Sequence, residues 1–441
     1  MEWQASPDEY EKLVIRMNTP RVVIDNTVCA TATLVKVDSA RRDVILLEAV
    51  QVLTDLDLSI RKAYISSDGC WFMNVFHVTD RYGQKLTDKR VIAYIERSLG
   101  TEEDDFTAGS RDIEAFTTLE LVGTDRPGLL SEIFAVLANL GCSIVEAKLW
   151  AYKGSIAGLL FVEEEDSGLP IEDSDKIRHI QARLGYVVRG STTALSSSSA
   201  SYVFRGTNAD RRIHQLMFAD RDYERAVASG EPSVSVQNWT ERGYSIVNVQ
   251  CSDRPKLLFD VLCTITDMGY VIFHGTIDTT GDHAYQEFYM RHSDGSPICS
   301  EAERQRVVQC LQAAIERRAS EGLRLELCSA DPLTVAEATR TFRENGLTVT
   351  RAEMSTKGET AVNVFYVTDA GGHLPGRKTI EAVIERFGDD SLKACEDRPL
   401  RTGKMKSGSD RDEPSSGSGG LLRLGSLVMR NLSNLGLIRS S

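Results

Sequence analysis

The chain has 441 residues, 41% hydrophobic and 26% charged, a length that favours several domains of roughly 100–200 residues and a composition able to bury their cores. Its 51 Lys and Arg against 64 Asp and Glu leave a formal net charge of −13, which works against a general nucleic-acid partner, because duplex affinity comes largely from neutralising phosphates. No apolar run approaches the ~20 residues that span a bilayer, so a membrane partner is not expected.

The opening MEWQASPDEY has neither a basic region nor an apolar stretch, so residues 1–19 read as an extension and not as a secretory signal. A first unit, 20–100, starts with strand-like alternation at Thr33, Val35 and Val37. The helix face Leu46, Ala49, Val50, Leu53 and Leu56 follows, at steps of three and four. The run Trp71–Asp80 is a strand in which Trp71, Phe72 and Phe76 serve packing and His77 is a strand histidine. After an acidic linker, 101–114, a second unit, 115–190, repeats the plan 84 residues on: Leu119 and Leu121, then Leu130, Ile133, Phe134, Leu137 and Leu140. Residues 191–242 read as a linker, with the Ser-rich stretch Ser191–Ser201 outside every unit and a charged helix within Asp210–Val227.

The third unit, 243–320, lies 128 residues beyond the second, with Val247, Val249 and Cys251 before Leu258, Val261, Leu262, Ile265 and Met268. The fourth, 321–390, follows after a further 77: Leu323, Leu325 and Leu327, then Val335, Ala338, Thr339, Phe342 and Asn345. Ala361–Asp369 repeats the Asn-Val-Phe and Val-Thr-Asp of Trp71–Asp80 at an offset of 289. Gly141, Gly269 and Gly346 stand where left-handed helix ends are expected. Residues 391–441 read as a disordered linker and an amphipathic segment, Leu421 to Ile438, that docks on a partner or on the protein's own sheets rather than on an anionic membrane. The pattern predicts an α+β protein of four tandem ferredoxin-like βαββαβ units with antiparallel sheets. Nine cysteines, none in a C-x-x-C pair and with Cys142 and Cys251 at expected core positions, predict a reducing address, cytoplasmic or nuclear, with no disulfide framework and no metal site.

One turn carries chemistry. Asp125-Arg126-Pro127-Gly128-Leu129-Leu130 joins the first strand and helix of the second unit. Pro127 presets φ at the helix start, Gly128 lets the backbone approach a ligand, and the free N–H groups of a helix start suit a carboxylate. Asp125 can receive an ammonium, so the turn complements both ends of an α-amino acid. The third unit has Asp253-Arg254-Pro255-Lys256-Leu257-Leu258, where Lys256 offers an ammonium to a carboxylate or is simply a solvated surface charge. The first and fourth units have Arg41-Arg42-Asp43-Val44 and Ala330-Asp331-Pro332-Leu333, which lack the Pro-Gly pair. Gly371–Thr379 superficially resembles a phosphate-binding loop, but Arg377 puts Lys378 out of register and Pro375 removes a donor.

A strand, Asp-Arg-Pro-Gly-Leu-Leu and an amphipathic helix, repeated in four βαββαβ units, resemble the ACT domain, and the whole resembles the plant ACT-domain-repeat proteins. The resemblance covers Pro20 to Gly388 and the terminal NLGLIRS. It implies a non-catalytic regulator that binds a small-molecule amino acid without a cofactor, through Asp125, Arg126, Pro127, Gly128, Leu129 and Leu130, with Asp253, Arg254, Lys256 and Leu257 as the second set. It also implies side-by-side pairing of units, within the chain or as a homo-oligomer, with ligand at the seam between one unit's turn and its partner's strand. The competing expectation is a ligand-free scaffold that binds and regulates a partner enzyme. No G-x-S-x-G, H-E-x-x-H or G-x-G-x-x-G motif argues for catalysis.

Overall fold

The structure is a computed structural model that describes residues 21–40, 45–67, 71–100, 115–189, 197–204, 208–225, 232–318, 322–329, 332–357, 360–388 and 391–395. The first unit contains β1 (Arg21–Asp25), β2 (Thr33–Ser39), α1 (Ile45–Asp55), β3 (Ser59–Ser67), β4 (Phe72–Thr79) and α2 (Lys89–Gly100). The second contains β5 (Ala115–Thr124), α3 (Leu129–Asn139), β6 (Cys142–Tyr152), β7 (Ser155–Glu164), α4 (Ser174–Arg189) and β8 (Ser197–Phe204). Helix α5 (Ala209–Ala219) and a 3₁₀ turn (Asp222–Arg225) then lead to the third unit. That unit has β9 (Ser233–Trp239), β10 (Tyr244–Ser252), α6 (Leu257–Asp267), β11 (Tyr270–Thr280), β12 (His283–His292) and α7 (Glu301–Arg318). The fourth has β13 (Leu323–Cys328), α8 (Pro332–Glu344), β14 (Leu347–Lys357), β15 (Thr360–Asp369), α9 (Arg377–Phe387) and β16 (Leu392–Cys395).

The units pair alternately. The first and third share an eight-stranded sheet, β1-β2-β4-β3-β11-β12-β10-β9, and the second and fourth share another, β16-β13-β15-β14-β6-β7-β5-β8. Both are antiparallel throughout. The seams are β3 against β11, with Lys62 opposite Asp278, and β6 against β14, with Lys148 opposite Glu353. Each of the seam strands β3, β6, β11 and β14 carries an irregularity in its pairing with its neighbour inside the unit, skipping Arg61, Val145, Phe273 or Thr350. These four residues are themselves 84, 128 and 77 apart, so the repeat extends to backbone detail.

The anticipated helix faces form the cores. Leu46, Ala49, Val50 and Leu53 join Leu258, Val261, Leu262 and Ile265 in the core of the first sheet, with Phe72 and Phe76 beneath them. Leu130, Ile133, Phe134 and Leu137 join Val335, Ala338 and Phe342 in that of the second. Trp71, by contrast, is exposed. Gly141, Gly269 and Gly346 all have positive φ, and Asp57 (φ 55°) takes the matching place in the first unit.

Three expectations about linkers are corrected. Ser197–Phe204, within the Ser-rich stretch and the residues after it, is edge strand β8, paired with β5. Ser233–Trp239, expected to be linker, is edge strand β9. Leu392–Cys395, expected beyond the fourth unit, is edge strand β16. Edge strands pair on one side only and tolerate polar residues, which is why composition hides them. In the first and third units the edge strand precedes the first central strand, while in the second and fourth it follows the second helix. Residues 1–19, the turn Arg41–Val44, the stretch 101–114, Lys404–Gly420 and Leu421–Ile438 lie outside the described residues. No described helix is long and apolar enough to cross a membrane.

One sheet face of the second and fourth pair is covered by α3, α4, α8 and α9. The opposite face carries Trp150, Tyr152, Leu159 and Phe161, which pack against Ile213, Leu216 and Met217 of α5 and Cys310 and Ala313 of α7. Helix α5 is thus a wedge between the two pairs.

Candidate functional site

In the second unit, the N–H of Leu129 donates to the carbonyl of Arg126 (3.1 Å), and Gly128 sits at φ 85°, ψ −2°. Those angles fit the third residue of a type II turn with proline second, a place glycine fills without strain. Pro127 therefore belongs to the turn, two residues before the helix start expected for it. Helix α3 begins at Leu129, with the N–H of Glu132 bonded to the carbonyl of Gly128 and those of Leu130 and Ser131 lacking an intrahelical acceptor. Leu129 and Leu130 point into the core, where they anchor the turn. Asp125 is half-buried, and burial pushes its carboxyl up from the ordinary range against the hydrogen bond and charge of Arg126.

Arg126 is committed to the fold. Its guanidinium grips Glu132 through two bonds (2.8 and 2.5 Å) and donates to the carbonyl of Val187 at the end of α4 (3.1 Å). The third unit repeats this 128 residues later: Arg254 bonds Asp260 (2.7 Å) and the carbonyl of Ile315 (2.8 Å). The arginine of each turn therefore pins the first helix of its unit to the second helix and is not aimed at a ligand. Leu257, 3% exposed, is likewise a core residue.

The turn is completed from across the seam. Helices α3 and α8 lie against one another. A Cβ on Gly128 would stand 2.4 Å from Cδ and 3.1 Å from Nη1 of Arg343, in the last turn of α8. Among the described residues no carboxylate reaches Arg343 at ion-pair distance. The matching residues of the other units are Thr54, Ala138 and Thr266, so only this one of the four positions is charged. The guanidinium of Arg343, whose charge also acts on Glu132, thus lies beside the Gly128 backbone and the N-terminus of α3, two groups whose chemistry suits a carboxylate. Sequence reasoning missed Arg343; the signal was a cation at one repeat position where the other three units have small neutral residues.

The third-unit turn has the same backbone but different occupancy. Lys256 takes the glycine's place at φ 62°, ψ 11°, and its ammonium bonds Asp210 of α5 (2.7 Å). Lys256 is thus neither a free ligand contact nor a solvated charge. Asp253 is 4.0 Å from Arg61 across the first seam, and burial pushes its carboxyl up against that arginine. Among the described residues no group of three His, Cys, Asp or Glu could hold a metal ion.

Comparison with known proteins agrees with the fold. The family model for the ACR family N-terminal ACT domain matches residues 28–105, that for an ACT domain residues 118–174, and that for an ACR9-like, ACT-like domain residues 233–332. The ACT domain-containing protein ACR8 of Arabidopsis thaliana is 56% identical, covering 98% of both chains. The chain belongs to the ACR family. The ACT domain-containing protein ACR4 of the same plant is 48% identical over 99% of each chain. A bifunctional uridylyltransferase/uridylyl-removing enzyme of Rhodospirillum rubrum is 26% identical over 46% of this chain and 20% of its own length. In this ACR-family chain the ferredoxin-like ACT units are antiparallel, in tandem, and paired within the chain.

Proposed function

We propose that this protein is a non-catalytic regulator that binds a free amino acid at the seam of the second and fourth units, and so reports amino-acid or nitrogen status. The observation that carries this reading is Arg343 lying over the Gly128 turn: a cation and a side-chain-free backbone face each other across two ACT units. In this reading the α-carboxylate sits between the guanidinium and the start of α3, and Asp125 receives the ammonium. Membership of the ACR family supports the reading, since ACT units serve regulation by small molecules. The binding state is passed on to a protein partner in the cytoplasm or nucleus. A thermal-shift screen of the full chain against the twenty amino acids tests it, because a ligand that binds only the native state raises its stability by about 2.7 kcal/mol at 100 times Kd. Isothermal titration of a responsive amino acid should then give one site per chain. A screen in which none raises the melting temperature would favour the ligand-free scaffold that regulates a partner enzyme, a reading that draws on the Lys256–Asp210 contact closing the third-unit turn.

A further inference from the structure

Helix α5 joins the second unit to the third, and the sequence shows it as a charged helix in the linker. Its second residue, Asp210, is 3% exposed and receives three cations from separate elements. Lys148 comes from β6 at the second seam, Lys256 from the third-unit turn (2.7 Å), and Arg318 from the end of α7 (3.1 Å). Lys256 holds a left-handed conformation, φ 62°, that a glycine would take without strain. The side chain on this left-handed backbone ends on one carboxylate oxygen of Asp210.

We propose that the third-unit turn is a carboxylate-binding site whose permanent occupant is the chain's own Asp210, carried in by the linker helix. The inference rests on the ligand-binding reading of the turn but predicts the opposite state for this copy: filled from within, closed to free amino acids. It accounts for the lysine in the glycine's place in the third unit, since a turn with a built-in occupant has no need of an open backbone. It also gives the two pairs a shared joint. The Asp210 carboxylate bridges the Lys256 turn of the first and third pair and Lys148, which faces Glu353 across the seam of the other pair.

Chemical rescue of the full chain tests this. Asp210→Ala should lower the melting temperature by several degrees, and sodium acetate should restore part of that loss where sodium chloride of equal ionic strength does not. The wild type should show no acetate-specific gain, and Asp210→Ala combined with Lys256→Met should lose the rescue. A folded Asp210→Ala without an acetate-specific gain, or an equal gain in the wild type, overturns the proposal. Should the alanine variant fail to fold, the isosteric Asp210→Asn is compared with wild type by hydrogen exchange. Faster exchange confined to the Asp253–Leu257 turn and the β6–β14 seam is expected, and unchanged exchange there overturns the idea. Neither experiment uses an amino acid at Gly128, so failure here is distinguishable from failure of the second-unit site.

Discussion

Gly128→Ala separates the two tasks of the second-unit turn. The backbone at φ 85° disfavours an L side chain by roughly 1–2 kcal/mol. The new Cβ would also stand 2.4 Å from Cδ of Arg343, a contact no side chain tolerates. Arg343 is exposed at the end of α8, so it can swing into solvent at little cost to the fold. Lys256 shows that the same turn forms with a side chain in that place. The variant should therefore stay folded and lose only about 1–2 kcal/mol in thermal denaturation. Ligand affinity should suffer more. A charge-assisted hydrogen bond contributes about 1.5–3 kcal/mol, so displacing the guanidinium should weaken binding of the responsive amino acid roughly 10- to 150-fold. Arg343→Met, which leaves the backbone untouched, should show the same loss of affinity without the loss of stability. Isothermal titration reads both. Wild-type affinity in the two folded variants would refute the placement of the carboxylate between Arg343 and α3.

Three further outcomes are expected. Arg254→Ala should cost about 1.5–3 kcal/mol in urea denaturation, because it removes one charged partner of the buried Asp260, which keeps Arg318 and His214, while Arg126→Ala, whose partner Glu132 is 40% exposed, should cost about 1–2 kcal/mol. Burial keeps His214 neutral, pushing its imidazole below the ordinary range against the pull of Asp260. The unfolded chain therefore binds the proton that the folded chain refuses, and stability should fall as pH drops below about 6.5, by at most ~1.4 kcal/mol per pH unit from this residue. The slope of melting temperature against pH between 7.5 and 5.5 should be shallower in His214→Gln. Finally, Asp57→Gly should raise the melting temperature slightly, by about 0.5–1 kcal/mol of stability, since the other three units already have glycine at this left-handed helix exit.

The repeat, the four first helices and their buried faces were legible in the sequence, because a helix buried on one side must show its period. Leu130, Ile133, Phe134 and Leu137 are spaced by that requirement alone, and all four are buried. The turn around Gly128 was legible too, since only a few residue types suit such a backbone. What only the tertiary structure decided was partnership. The first unit joins the third and the second joins the fourth through main-chain bonds that are chemically alike on every strand, so no side-chain pattern names the partner. Edge strands β8, β9 and β16 were hidden for a related reason: with one side unpaired and a face open, they need no alternating hydrophobic code. Arg343 and Asp210 read as ordinary surface charges, 215 and 46 residues from the turns they meet. A charge has no periodicity, and whether it is solvated or placed against a turn depends on which helices the fold brings side by side.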